Sequence, residues 1–286
     1  MSPLVLGLIA VAAIAHASWN IAIKRAGARG VGFLWWSFIV GTVVFLPFGV
    51  WSLVNANVDL LHWLWLAVVS GALQVIYFFL LQFGYRAGDV SVVYPLARGT
   101  GPLLTVVFAI ILFGERPDTL ALTGAAVVIA GVVVTAGAGR SVPGRSRRAG
   151  VIFGLVIGVL IAVYTLWDSA AVTFGGMPAV GFYWGSVLFQ FVLLTPRALR
   201  ESGELVDTAQ AHWRAILLVG LLAPLAYILV LLAIQLAPVS LVAPAREVSV
   251  VLVSIAGWLF LREPHPLWRF VGATIVLAGI ALLALG

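Results

Sequence analysis

DVSVVYPLARGTGPLLTVVFAIILFGERP (Asp89–Pro117) and PVSLVAPAREVSVVLVSIAGWLFLREP (Pro238–Pro264) decide the fold, because the second repeats the first. DVSVVYPLAR (Asp89–Arg98) returns as PVSLVAPAR (Pro238–Arg246), with one residue lost between the Pro and the Arg. The match extends outward in both directions. VGFLWWS (Val31–Ser37) returns as VGFYWGS (Val180–Ser186), and HASWN (His16–Asn20) faces YTLWD (Tyr164–Asp168). Glu115 pairs with Glu263, Gly124 with Gly272, and Ala130-Gly131 with Ala278-Gly279. The offset stays at 148–150 residues over nearly the whole chain. Apolar sequences resemble one another by composition alone, but seven-residue windows with Trp, Gly and Ser in register do not arise that way.

The repeated unit is too apolar for water. Hydrophobic residues make up 63% of the 286, charged residues 9%, and mean hydropathy is +1.16. Soluble domains average about 45–50% apolar and about 25% charged. This excludes a cytosolic enzyme, a disordered chain and a nucleic-acid binder, despite a pI near 10.3. With no Cys, thiol catalysis and thiolate metal sites are excluded. The four His are too scattered for a metal motif, so no cofactor or metal is expected. The 11 Trp and 30 Gly suit a membrane bundle, with Trp at interfaces and Gly at close helix contacts.

Ten apolar runs are long enough to span a hydrocarbon core of about 30 Å. They are Pro3–Ile23, Val31–Leu53, His62–Gln82, Ser91–Phe113, Leu120–Gly139, Val151–Val172, Pro178–Thr195, Ala215–Ile234, Val239–Leu261 and Pro266–Leu285. The first lacks a basic region ahead of it, so it reads as a helix and not a cleaved signal. The seventh is the shortest, and the mixed-charge stretch Pro196–Arg214 after it reads as a loop. The fold expected is an all-α membrane protein of ten transmembrane helices. Residues 1–139 form one five-helix repeat, 140–149 a basic loop, and 150–286 the second repeat. Five is odd, so the second copy enters the membrane from the opposite side. Inverted repeats of this kind characterise many secondary transporters, with a site near the midplane at the repeat interface.

Thirteen of the 16 Lys and Arg fall in odd-numbered loops or, for Arg269, in the first turn of the span that follows; the even loops hold only Arg116, and Arg98 and Arg246 lie deep inside spans. Counting positive charges puts the odd loops in the cytoplasm and both termini outside, in the inner membrane of the cell. His62-Trp63 and His212-Trp213 open spans three and eight, as an interfacial aromatic belt would.

The residues that carry the repeat also carry a resemblance. YPLARGTGPLLTVVFAIILFGERP closes span four and APAREVSVVLVSIAGWLFLREP closes span nine. Each has Gly-Glu or Arg-Glu before a Pro, followed by a Gly-rich span with an Ala-Gly pair. Over essentially its full length, the chain resembles the EamA branch of the drug/metabolite transporter superfamily. The resemblance implies alternating access, proton-linked or exchange transport, and cytoplasmic termini. On the last point the charge count points the other way, and the expectation here follows the charges.

An ionisable group inside a span costs at least about 2.5–3.5 kcal/mol to insert, so each is a functional candidate. Arg98 and Arg246 lie at matching depths, each shortly after a Pro. Two guanidinium groups on facing repeats can bind a carboxylate or phosphate by forked hydrogen bonds; the plainer reading is a structural pair bonded to carbonyls, Glu247 or Asp168. Asp168, whose repeat mate is the neutral Asn20, and Glu247 are candidate proton carriers, as carboxylates buried in a cavity. Because neighbours on a helix differ by about 100°, Glu247 is expected to turn toward a neighbouring helix if Arg246 faces the cavity, which leaves Asp168 the better proton carrier. His16, Trp19, Asn20 and Lys24 share a face of span one, and Tyr164 and Trp167 repeat it in span six. Such aromatics can line a substrate cavity, or simply pack helices. His16 is a further proton-relay candidate. Tyr94 is a cavity candidate on span four, with Gln74, Tyr77 and Tyr227 as weaker ones. Glu115 and Glu263 are expected at the N-termini of spans five and ten. Gly99, Gly101 and Pro102 could loosen span four or allow close packing.

The function expected is secondary transport of small anionic or zwitterionic metabolites, amino-acid-like or organic-acid solutes among them, with the small molecule, the bilayer and protons as partners. No P-loop is present, so an ion gradient or exchange is the driving force. The alternative is export of amphipathic drugs or lipid-linked headgroups. An intramembrane enzyme would need a nucleophile–base pair or a metal cluster at helical spacing, which the sequence lacks.

Overall fold

The computed structural model describes residues 1–27, 30–137, 146–261 and 266–285. It is helical throughout. The helices are α1 (Pro3–Ala26), α2 (Val31–Asn55), α3 (Leu60–Ala87), α4 (Val90–Phe113), α5 (Thr119–Gly137), α6 (Arg147–Thr173), α7 (Ala179–Arg200), α8 (Leu205–Leu236), α9 (Val239–Ala245), α10 (Val248–Leu261) and α11 (Pro266–Leu285). Seven of them (α1 to α4 and α6 to α8) are long and apolar enough to cross a membrane; the described parts of α5 and α11 are shorter but equally apolar.

Short polar residues start the helices. Ser2, Asp59, Asp118 and Ser146 each accept a hydrogen bond from the backbone N–H three residues on, at 2.7–3.4 Å. Each satisfies a donor the first turn leaves free and contributes about 1 kcal/mol. Gly27, in the left-handed region at φ +62°, ends α1. The outer surface is as apolar as the interior: Val43, Trp51, Leu61, Ile111, Phe174 and Leu277 are all more than half exposed. At about 25 cal/mol per Å², water could not tolerate such a surface, whereas lipid tails match it.

Burial of apolar area does not hold helices together in lipid, so close packing must. α5 lies along α11, and a Cβ on Gly131 would come within 2.7–2.9 Å of the Val276 nitrogen and the Gly272 carbonyl. α6 lies on α4, with the Gly158 backbone against Thr100 and Gly101. That contact fixes the helix bearing Arg98 against the helix bearing Asp168. Elsewhere α1 packs on α8 and α10, α2 on α7 and α8, and α3 on α6 and α7.

Several expectations need correction. The seventh span is not short: α7 has 22 residues and runs through Pro196. Most of Pro196–Arg214 is helical, through Arg200, a 3-10 turn at Ser202–Glu204 and the start of α8. α8 bends at His212, whose backbone leaves the helical region at φ −125°, ψ 15°, where the charged first turns meet the apolar span. Trp63 does not face outward from the bundle. It is buried, stacks on Trp184 at 5.8 Å and donates to the Gly181 carbonyl at 3.0 Å. Span nine is broken into α9 and α10, whereas span four stays continuous through Pro95 and Pro102. Around Arg246 and Glu247 the backbone tightens to i→i−3 bonds: Glu247 N–H to Pro244, Ser249 N–H to Arg246 and Val250 N–H to Glu247. Such a turn inside a helix marks strain or a functional joint. Glu263 and the segment 138–145 lie outside the described residues.

Candidate functional site

The site forms where α4, α6, α8 and the α9–α10 joint meet. Arg98 leaves α4 and reaches Glu247, with its Nη1 3.6 Å from Oε2. Arg246 reaches the other oxygen, with its Nε 3.6 Å from Oε1. Glu247 therefore lies between two guanidinium groups, one from each half of the chain. Its side chain is 1% exposed; those of Arg98 and Arg246 are 18% and 11% exposed. Glu247 does reach a neighbouring helix, α4, through Arg98, but it remains in the same centre as Arg246. At the tightened joint, adjacent side chains converge on one point, which they could not do on a regular helix. Arg246 also donates from Nη2 to Thr165 at 3.2 Å, and the Arg98 guanidinium stands 5.7 Å from the Tyr94 ring.

Three residues after Thr165, on the same face of α6, comes Asp168, fully buried. Its Oδ2 accepts from the Tyr227 hydroxyl at 2.8 Å and from Gln74 Nε2 at 3.5 Å. Its Oδ1 has no hydrogen-bond partner among the described residues. Behind it a polar chain continues: Tyr183 donates to Gln74 Oε1 at 3.2 Å, the Ser70 and Ser186 hydroxyls share a bond of 2.9 Å, and Gln190 donates to Ser186 at 3.3 Å. Tyr164 stands between the groups, 5.7 Å from Tyr77 and 6.4 Å from Tyr227 by ring centroids.

The structure thus brings together Arg98, Arg246, Glu247, Asp168, Tyr94 and Tyr164. His16 is partly buried on α1, where it meets the Trp19 ring edge-on at 5.0 Å. Asn20 is turned back on its own helix, donating to the His16 carbonyl at 2.8 Å. The two Trp do not join the centre. Trp19 packs with Phe33, Ala215 and Ile216 of α2 and α8, and Trp167 donates to the Leu66 carbonyl and meets Trp65 edge-on. Trp167 is fully accounted for by packing, whereas the Trp19 Nε1 is buried with no hydrogen-bond partner among the described residues. Glu115 is also placed differently from the expectation: its two oxygens accept from Val239 N–H at 2.8 Å and Ser240 N–H at 2.9 Å, so it clamps the start of α9.

Sequence reasoning missed Ser70, Thr165, Tyr183, Ser186 and Gln190. A signal existed for three of them. Tyr183, Ser186 and Gln190 are spaced i, i+3 and i+7, a polar stripe on an otherwise apolar helix.

A membrane bundle with paired guanidinium and carboxylate groups at its centre has the makings of a solute pathway. The EamA-like transporter family model matches twice, over residues 4–137 and again over 148–285. The chain therefore belongs to the EamA-like transporter family and is a multi-pass membrane transporter. No curated protein matches the sequence. One solved structure, titled only as the crystal structure of a protein, superposes with a TM-score of 0.76 over 98% of this chain and 96% of its own. At 19% identity that likeness speaks for the fold alone.

Proposed function

We propose that the protein is a secondary transporter of small anionic or zwitterionic metabolites, coupled to protons or working by exchange. The observation that carries this is the convergence of Arg98 and Arg246, from corresponding positions of the two halves, on the single carboxylate of Glu247. Two guanidinium groups facing one anion are suited to a substrate carboxylate or phosphate, which each can grip by a fork of N–H donors. Asp168, one turn from the Thr165 that Arg246 bonds, is the proton carrier.

The architecture proposed is two inverted five-helix repeats, residues 1–139 and 150–286, joined by the basic segment 140–149. It is supported by the pairing of helices. Exchanging the halves turns α4 on α6 into α10 on α1, and α2 on α8 into α7 on α3; each of these pairs is in contact. Alternating access then consists of one set of contacts loosening while its counterpart closes. The test is reconstitution in proteoliposomes with labelled carboxylates and their neutral amides. Saturable uptake of a carboxylate recovered chemically unchanged is expected. Chemical conversion, or uptake of the amides alone, overturns the reading.

The orientation proposed has the termini outside and the basic segment in the cytoplasm of a cell with this protein in its inner membrane. Reporter fusions after residue 286 and within residues 140–148 should report opposite sides, the latter cytoplasmic. A cytoplasmic terminus would show that the charge count misleads here.

A further inference from the structure

Glu247 is held in an unusual way. A buried carboxylate paired with Arg ordinarily takes forked bonds of about 2.7–2.9 Å. Here each oxygen stands 3.6 Å from a different guanidinium, and Oε2 has no hydrogen-bond partner among the described residues. Glu247 neutralises charge without being gripped. The side chain is almost completely buried, so water cannot make up the missing bonds. The guanidinium groups, by contrast, keep some exposure, 18% for the Arg98 side chain and 11% for that of Arg246. They have donors to spare, five N–H groups each.

We propose that Glu247 is a tethered counter-anion: it occupies the two arginines in the empty transporter and yields them when a substrate anion arrives. This rests on the reading of Arg98 and Arg246 as the anion site, and it names the specificity-determining residue of that site. Without such a stand-in, two unpaired charges would have to pass through the occluded state, each stripped of water with no partner to offset the loss. With it, the empty carrier can reorient. The competition sets the affinity: a substrate gains only the difference between its forked bonds and the loose contacts it displaces. Glu247 is therefore neither a substrate ligand nor the proton carrier, but a competitor built into the chain.

The experiment titrates the purified full chain with sodium benzoate, at constant ionic strength, following its tryptophan fluorescence, with benzamide as the neutral control. Benzoate carries one carboxylate and a ring that the Tyr77–Tyr164–Tyr227 cluster can face. Glu247→Gln should bind benzoate at least tenfold more tightly than the wild type, with benzamide unchanged. Glu247→Asp, which keeps the charge but withdraws it by one carbon, should fall between the two. Arg98→Ala combined with Glu247→Gln should lose the gain. Equal or weaker benzoate binding by Glu247→Gln that still melts cooperatively overturns the proposal. If Glu247→Gln does not fold, Glu247→Asp decides: tighter binding than wild type supports the competition, and equal or weaker binding overturns it. If neither wild type nor a folded variant binds benzoate, the anion-site reading itself fails and takes the proposal with it.

Discussion

Arg98→Ala and Arg246→Ala should each abolish binding and transport of an anionic substrate. Removing one partner from a desolvated, charge-assisted contact costs about 2–5 kcal/mol, a loss in affinity of about thirtyfold to several thousandfold. Part of that loss comes from the group left behind. In Arg98→Ala, Glu247 keeps only Arg246 and repels an incoming carboxylate across the vacated space. Lys at position 98 should recover part of the affinity and not all of it, since an ammonium keeps the charge but lacks the planar fork. Benzoate titration and carboxylate uptake into proteoliposomes both measure this. An Ala variant within threefold of wild type in both would make that arginine a structural residue.

Asp168→Asn should separate movement from accumulation. The amide oxygen can still accept from Tyr227, as Oδ2 does at 2.8 Å, so the packing of α6 on α8 is kept. Substrate exchange between equal pools is then expected to stay within a few-fold of wild type. What the amide cannot do is take up and release a proton. A gradient of one pH unit supplies about 1.4 kcal/mol, enough for about tenfold accumulation when one proton moves with each substrate. The wild type should approach that ratio, and Asp168→Asn should stay at the level seen without a gradient. If the variant still accumulates substrate, the proton is carried elsewhere, at Glu247 or His16.

The broad fold was legible because lipid imposes simple rules. Every span must be long, apolar and helical, and the duplicated Pro–Arg, Glu and Ala-Gly landmarks stand at an offset that varies by only one residue. The joint at Arg246–Glu247 was not legible, because Pro95 and Pro102 leave α4 intact whereas Pro244 precedes a break. A proline removes one hydrogen bond in either setting; whether the helix gives way depends on what its neighbours can bond, and that is a tertiary matter. The same limit applied to the aromatic faces. Periodicity put Trp19 and Trp167 beside the charged residues, but a wide ring is placed by the space next to it, and the space lay toward α2, α3 and α8. Arg98, Arg246, Asp168 and Glu247 were legible as candidates for a physical reason: a charge is too costly inside a span to lack partners. Their partners were only partly visible. Thr165, Ser70 and Ser186 are small hydroxyl residues, which pass without notice in any apolar helix.

The two arginines and two carboxylates of the central site sum to zero. If an anion enters together with one proton on Asp168, the sum stays at zero. A carrier built this way conveys no net charge in either direction, loaded or empty. Membrane voltage, worth about 2.3 kcal/mol per elementary charge at 100 mV, then does no work on the cycle. The protein would run at the same rate in an energised cell and a depolarised one, answering to concentrations alone and drawing no electrical current.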